Sequence, residues 1–104
     1  MTMDPTPVGG LPFTFKVPAK DMPKKVSGHL EEAELAAKVA RTLERAACLA
    51  LFEAKAARDI SAYAEARVSL HEALDLLLPT ELTLAAILLQ RGLPLEGRTM
   101  ISLC

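Results

Sequence analysis

Aromatic residues, cysteines and histidines are scarce in this chain. It has no tryptophan, one tyrosine and three phenylalanines in 104 residues, so Ala, Leu, Val and Ile must fill a core in which helices pack closely. Cys48 and Cys104 lack the paired spacing of a zinc site or a CxxC motif, which favours a reduced, cytoplasmic setting. His29 and His71 stand in no metal-ligand or triad pattern. We therefore expect no metal, no cofactor and no enzyme activity.

An excess of either charge and a long hydrophobic run are also missing. The formal net charge is -1, which argues against a basic face for direct binding of nucleic acid. No stretch reaches the roughly 18 apolar residues of a membrane span, and residues 1–13 show no basic segment followed by an apolar one. Apolar residues make up 51% of the chain, which argues against disorder. We expect a soluble protein with neither a membrane span nor a signal peptide.

Prolines divide the chain into two parts. Five of the seven lie within residues 1–26, where they forbid a continuous helix and predict an extended arm. Residues 27–104 are predicted to form a single helical domain. Within the arm, Phe13, Phe15 and Val17 alternate with polar residues, which predicts either a short, half-buried strand or a docked extended segment.

The first predicted helix spans residues 28–58. Ser27 is suited to cap it, and Glu31 and Glu32 suit the positive end of its dipole. Its main apolar stripe recurs at steps of three and four residues and consists of Ala36, Val39, Leu43, Ala46, Ala47, Ala50, Ala54 and Ala57.

The second predicted helix spans residues 62–78. Asp59 or Ser61 can cap it, and Pro79 disfavours helix at the preceding residue and is expected to end it. Its stripe consists of Tyr63, Ala66, Leu70, Ala73, Leu74 and Leu77. Part of this stripe resembles the second helix of one tetratricopeptide unit, but a single copy cannot bury the continuous core of a repeat protein.

A third helix is predicted over residues 81–90, capped by Thr80 and ended by Gly92. Residues 95–104 are predicted to form a short strand or a packed tail. Because the first two helices are joined by few residues, they should form an antiparallel hairpin. The predicted fold class is all-α: this hairpin, a short third helix and the extended arm. The hairpin should pack through Val39, Leu43 and Ala50 on one helix and Tyr63, Leu70 and Leu74 on the other.

Apolar residues off these stripes carry the functional hint. At about 100° per residue, Phe52 lies nearly opposite the first stripe, beside Leu49. Either the arm and the third helix cover these groups or another protein does, and we favour the latter because large exposed apolar patches are unusual on monomers. The predicted protein-binding residues are Arg41, Arg45, Leu49, Phe52, Val68 and Leu76. Phe52, Val68 and Leu76 together also predict a homodimer.

A protein-interaction module is the function class that needs only these features. By its size, acidity, Pro-rich lead and the hairpin of residues 30–78, the chain resembles small bacterial antiactivators of the QslA kind, which bind LuxR-type quorum-sensing receptors. The resemblance implies a dimer that binds a transcription activator such as LasR and blocks its dimerisation and DNA binding. A type III secretion chaperone or export adaptor, which also uses acidic helical hairpins, is the alternative.

Overall fold

The computed structural model describes residues 14–104, which are mostly helical. Two compact units share these residues: one contains residues 14–33 and 81–104, and the other is Glu34–Thr80. The elements, in chain order, are strand β1 (Phe15–Val17), a 3-10 turn (Ala19–Asp21), helices α1 (Leu30–Ala57) and α2 (Ile60–Gln90), and strand β2 (Ile101–Leu103). The predicted helical hairpin is confirmed.

A two-residue connection reverses the chain between the helices. Arg58 has φ 57°, and the N–H of Asp59 donates to the carbonyl of Ala54 at 3.0 Å while that of Arg58 donates to Lys55 at 3.2 Å. This is the Schellman arrangement, with an arginine where glycine is usual. The Asp59 carboxylate then accepts a hydrogen bond from the N–H of Ala62 at 3.0 Å. Asp59, one of the two residues predicted to cap the second helix, therefore caps α2. Because the connection has only two residues, the helices run antiparallel.

The packing face predicted for α1 is wrong at the three residues named as its contacts with α2. Val39 is 52% exposed, Leu43 is 48% exposed, and Ala50 is also exposed. The buried positions of α1 in the second unit are Ala37, Ala40, Ala47 and Ala54. Ala47 and Ala54 belong to the predicted stripe, but the buried face as a whole is rotated by about 70° from it. Alanines let helix backbones approach closely, and Val39 and Leu43 lie outside the buried face.

The packing face predicted for α2 is correct in the second unit. Ala66, Ala73 and Leu77 are buried, and Tyr63 and Leu70 are half-buried. Their steps of three and four residues place them on one side of α2.

The predicted break at Pro79 is absent, and residues 81–90 belong to α2 rather than to a separate third helix. A proline removes one helical hydrogen bond and crowds the carbonyl four residues earlier, which can bend a helix without ending it. Thr80, predicted as a cap, instead donates its hydroxyl hydrogen to the carbonyl of Leu76 at 2.7 Å. The predicted stop at Gly92 is confirmed by its φ of 69° and by the Leu93 N–H bond to Leu88 at 2.9 Å.

The first unit contains a two-stranded parallel sheet. Phe15 pairs with Ile101 and Val17 with Leu103, so at both places the strand is the correct one of the two predicted alternatives. The part of the arm within residues 1–13, including Phe13, lies outside the described residues. Apolar side chains from the end of α2, from the residues before α1 and from β2 pack into one cluster. Its buried members are Met22, Ala85, Ala86 and Ile101. A sheet this small depends on such packing.

A buried carboxyl group ties the two residues before β2 to α2 within the same unit. Glu81 has no exposed surface, and its Oε1 atom accepts from the Thr99 hydroxyl at 2.9 Å and from the Met100 N–H at 2.8 Å. The Met100 carbonyl in turn accepts from the Phe15 N–H at 2.6 Å. One side chain therefore fixes the segment that positions both strands.

The start of α1 differs slightly from the prediction. The helix begins at Leu30 rather than residue 28, and its first bond runs from the Ala33 N–H to the His29 carbonyl at 3.0 Å. Gly28, with φ 144°, has a backbone conformation that residues with a side chain rarely adopt. That conformation separates Ser27 from the helix it was expected to cap.

Candidate functional site

One side of the hairpin presents an exposed aromatic side chain. Phe52 is 74% exposed and borders a shallow depression of about 300 Å³ near the start of α2. We call this depression the Phe52 surface; its lining residues are Cys48, Leu51, Phe52, Lys55 and Tyr63. A phenylalanine held by a helix backbone and left largely in water is available to a partner.

Most charged residues near the Phe52 surface are positive, and the carboxylate of Glu44, which contacts Cys48, is an exception. Arg45 and Arg41 lie about two and three helical turns before Phe52, each within about 20° of its direction around α1. Lys55 belongs to the surface itself, and Arg67 follows Tyr63 by about one turn of α2. An aromatic side chain among arginines is a composition enriched at protein interfaces.

Cys48 lies in this surface but is a poor nucleophile. Its thiol donates a hydrogen bond to Oε2 of Glu44 at 2.9 Å. This hydrogen bond, partial burial and the negative charge of Glu44 raise the pKa of Cys48 from 9.0 to about 11. Because the thiolate is the reactive form, the thiol stays protonated and unreactive near neutral pH.

The opposite side of the hairpin carries an open groove between α1 and α2. Ala47 and Ala73, both buried, form its floor, and the half-exposed Leu43 and Leu76 stand at its edges. The cavity measures about 500 Å³ and is lined by Leu43, Ala46, Ala47, Ala50, Ser69, Glu72, Ala73 and Leu76. We call it the alanine groove. It is mostly apolar and has one charged lining residue, Glu72.

The residues predicted as one binding site do not form a single patch. Leu49 and Val68 are each 59% exposed and line neither cavity. Leu76 shares the alanine groove with Leu43, and Leu43 lies about 13 Å along the helix from Phe52. Of the four apolar site residues, Phe52 alone lines the Phe52 surface.

Sequence reasoning missed two parts of these surfaces. Tyr63 was assigned wholly to the core stripe, yet it is half-buried and lines the Phe52 surface. The groove residues Leu43, Ala46 and Ala50 were also assigned to the core. Their repeat at steps of three and four residues was the available signal for a helix-binding face, but it is equally typical of a core stripe.

The described residues offer little for other chemistry. Within residues 14–104 no three His, Cys, Asp or Glu side chains come together as a possible metal site. No helix in that part of the chain has the length and apolar character needed to cross a membrane. Comparison with protein-family models, curated proteins and solved structures finds no match to this chain.

Proposed function

We propose that this chain is a non-catalytic protein-binding module that holds a partner protein on the Phe52 surface. The observation that carries the proposal is the exposed Phe52, presented by a rigid helix beside Tyr63. Large aromatic side chains dominate the energetics of binding when neighbouring contacts exclude water.

The size of this contact supports an anchor. With 74% of Phe52 exposed, a partner that covers the side chain removes on the order of 150 Å² of apolar surface from water. At about 25 cal/mol per Å² this is worth ~4 kcal/mol before the costs of association are subtracted. A few such contacts suffice for a specific complex.

The charges around Phe52 define the partner's chemistry. Arg41, Arg45 and Lys55 favour a partner patch in which an apolar pocket is flanked by carboxylates. Candidate partners are a LuxR-type activator, which the module would keep from dimerising and binding DNA, and an exported subunit or effector if it is a secretion chaperone. A homodimer is a further proposal. Because Phe52 and Leu76 line different cavities, a dimer would bury one of these two residues and leave the other exposed.

A capture experiment from the native host tests the proposal. The bait proteins are wild type, Phe52→Glu and the matched control Leu35→Glu. Leu35 is 63% exposed and lies about 25 Å along α1 from Phe52, so both variants place a charge on an exposed helical position. Thermal melting of each bait establishes that it is folded.

We expect one protein to be retained by wild type and by Leu35→Glu and to be lost from Phe52→Glu. A receptor-type activator would support the antiactivator version, and an exported protein the chaperone version. Equal retention by all three folded baits would refute the proposal. A melt that collapses in Phe52→Glu alone would place Phe52 in the core and refute it as well.

A further inference from the structure

The alanine groove has the shape of a helix-binding site. Its floor of buried alanines lets the backbone of a packed helix approach closely, while Leu43 and Leu76 offer apolar walls. From Leu43 to Ala50 the groove extends about 11 Å along α1, which is two turns of a helix. An amphipathic helix places its anchors at such a spacing when it enters a groove.

The charges on this side of the hairpin are of one sign. All residues of Glu34–Thr80 are described, and within about 90° of the groove direction on either helix their only charged side chains are Glu53, Glu65 and Glu72. Each of the three is exposed. The side that bears Phe52 carries the arginines. The hairpin thus has an apolar groove with an acidic rim on one side and an aromatic surface near which basic residues outnumber acidic ones on the other.

We infer that the alanine groove binds an amphipathic helix of another protein whose apolar stripe is flanked by lysine and arginine. Charge complementarity selects this occupant, since basic residues beside the stripe would meet Glu53, Glu65 and Glu72 at the rim. A second copy related by a two-fold axis would instead bring these carboxylates of both chains to the same seam. Like charges placed together there would oppose the dimer.

This site is separate from the Phe52 surface. None of the residues that line the groove lines that surface, so a helix in the groove leaves Phe52 accessible. The module therefore has two binding sides of opposite charge, and the two can be tested independently.

Two synthetic peptides serve as probes for the groove. Both are helix-forming, about 18 residues long and carry the same leucine stripe; one has lysines beside the stripe and the other glutamates. Fluorescence anisotropy gives the affinity of each labelled peptide, and amide chemical shifts locate the bound peptide. Glu72→Arg reverses a groove charge, and Asp75→Arg makes the same change on an exposed residue that does not line the groove.

We expect the lysine peptide to bind at least about tenfold more tightly than the glutamate peptide, with shifts centred on Ala46, Ala50 and Leu76. Glu72→Arg should weaken the lysine peptide by about fivefold and Asp75→Arg by less than about twofold. Phe52→Glu should bind it as wild type does, which separates this inference from the proposed function.

Three results would overturn the inference. The first is equal binding of both peptides, and the second is shifts centred on Tyr63 and Lys55. The third is a light-scattering mass that corresponds to two chains for the wild-type protein and to one chain for a folded Ala46→Glu variant. The occupant of the groove would then be a second copy of this chain.

Discussion

Truncation of the buried Glu81 side chain should loosen the whole C-terminal segment. In Glu81→Ala the Thr99 hydroxyl and the Met100 N–H both lose Oε1 as their acceptor. Each lost bond is worth about 1 kcal/mol, and the Met100 N–H left buried costs about 1–3 kcal/mol more. We therefore expect a loss of ~3 kcal/mol in the free energy of unfolding, which for a domain of this size lowers Tm by roughly 10–20 °C.

Glu81→Gln is the matched variant, since it keeps the side-chain volume and an Oε1 acceptor. It should cost less than half as much as Glu81→Ala. Denaturant unfolding followed by circular dichroism measures both, and hydrogen exchange of the Met100 amide reports the local effect. That amide should exchange far faster in Glu81→Ala, because its acceptor is gone and the β1–β2 contact next to it is released.

The reasoning fails if Glu81→Ala melts within about 2 °C of wild type while the Met100 amide stays as protected as before. It also fails if Glu81→Gln is as destabilising as Glu81→Ala, because the acceptor atom would then not be what matters.

Two further predictions follow from local geometry in the hairpin. Arg58→Gly should raise the free energy of unfolding by about 1 kcal/mol, because Arg58 has a positive φ that costs a residue with a side chain about that much. Arg58→Ala keeps this backbone strain and should not become more stable. Equal stability of the two variants in denaturant unfolding would show that the backbone at Arg58 is not strained. With its pKa at about 11, Cys48 is about one part in a thousand thiolate at pH 8. In a Cys104→Ser background, Glu44→Ala removes the cause of the raised pKa and should speed alkylation of Cys48 by iodoacetamide at pH 8 at least about tenfold; an unchanged rate would show that Glu44 does not hold the proton.

Local signals in the sequence correctly predicted the turn between the helices and the end of α2. Asp59 is a good cap and Gly92 a good stop because both act through bonds to residues a few positions away, and the alternation of Phe15 and Val17 marks β1 for the same reason. The helix end predicted at Pro79 was wrong because a proline disfavours helix at the preceding residue but does not forbid it. A helix can continue through a proline with a local bend.

The packing face of α1 could not be derived from periodicity. Its apolar residues extend around more than one side, so the stripe through Leu43 and the neighbouring alanine face have the same spacing. The alanine face packs because its small side chains let the two helices approach closely. The error affected the site, since it assigned the groove to the core and left Leu76 grouped with Phe52. Glu81 was overlooked because its partner Thr99 is 18 positions away, and only the tertiary fold brings them together.

The most direct test of the central claim is the affinity of the captured partner for wild type and for Phe52→Ala, measured by calorimetry with purified proteins. We predict saturable binding at one partner per chain and a Kd about 30-fold higher for Phe52→Ala, which corresponds to a loss of ~2 kcal/mol, with the melting temperature unchanged. A Kd within about twofold of wild type for the folded variant would contradict the claim that Phe52 anchors a partner.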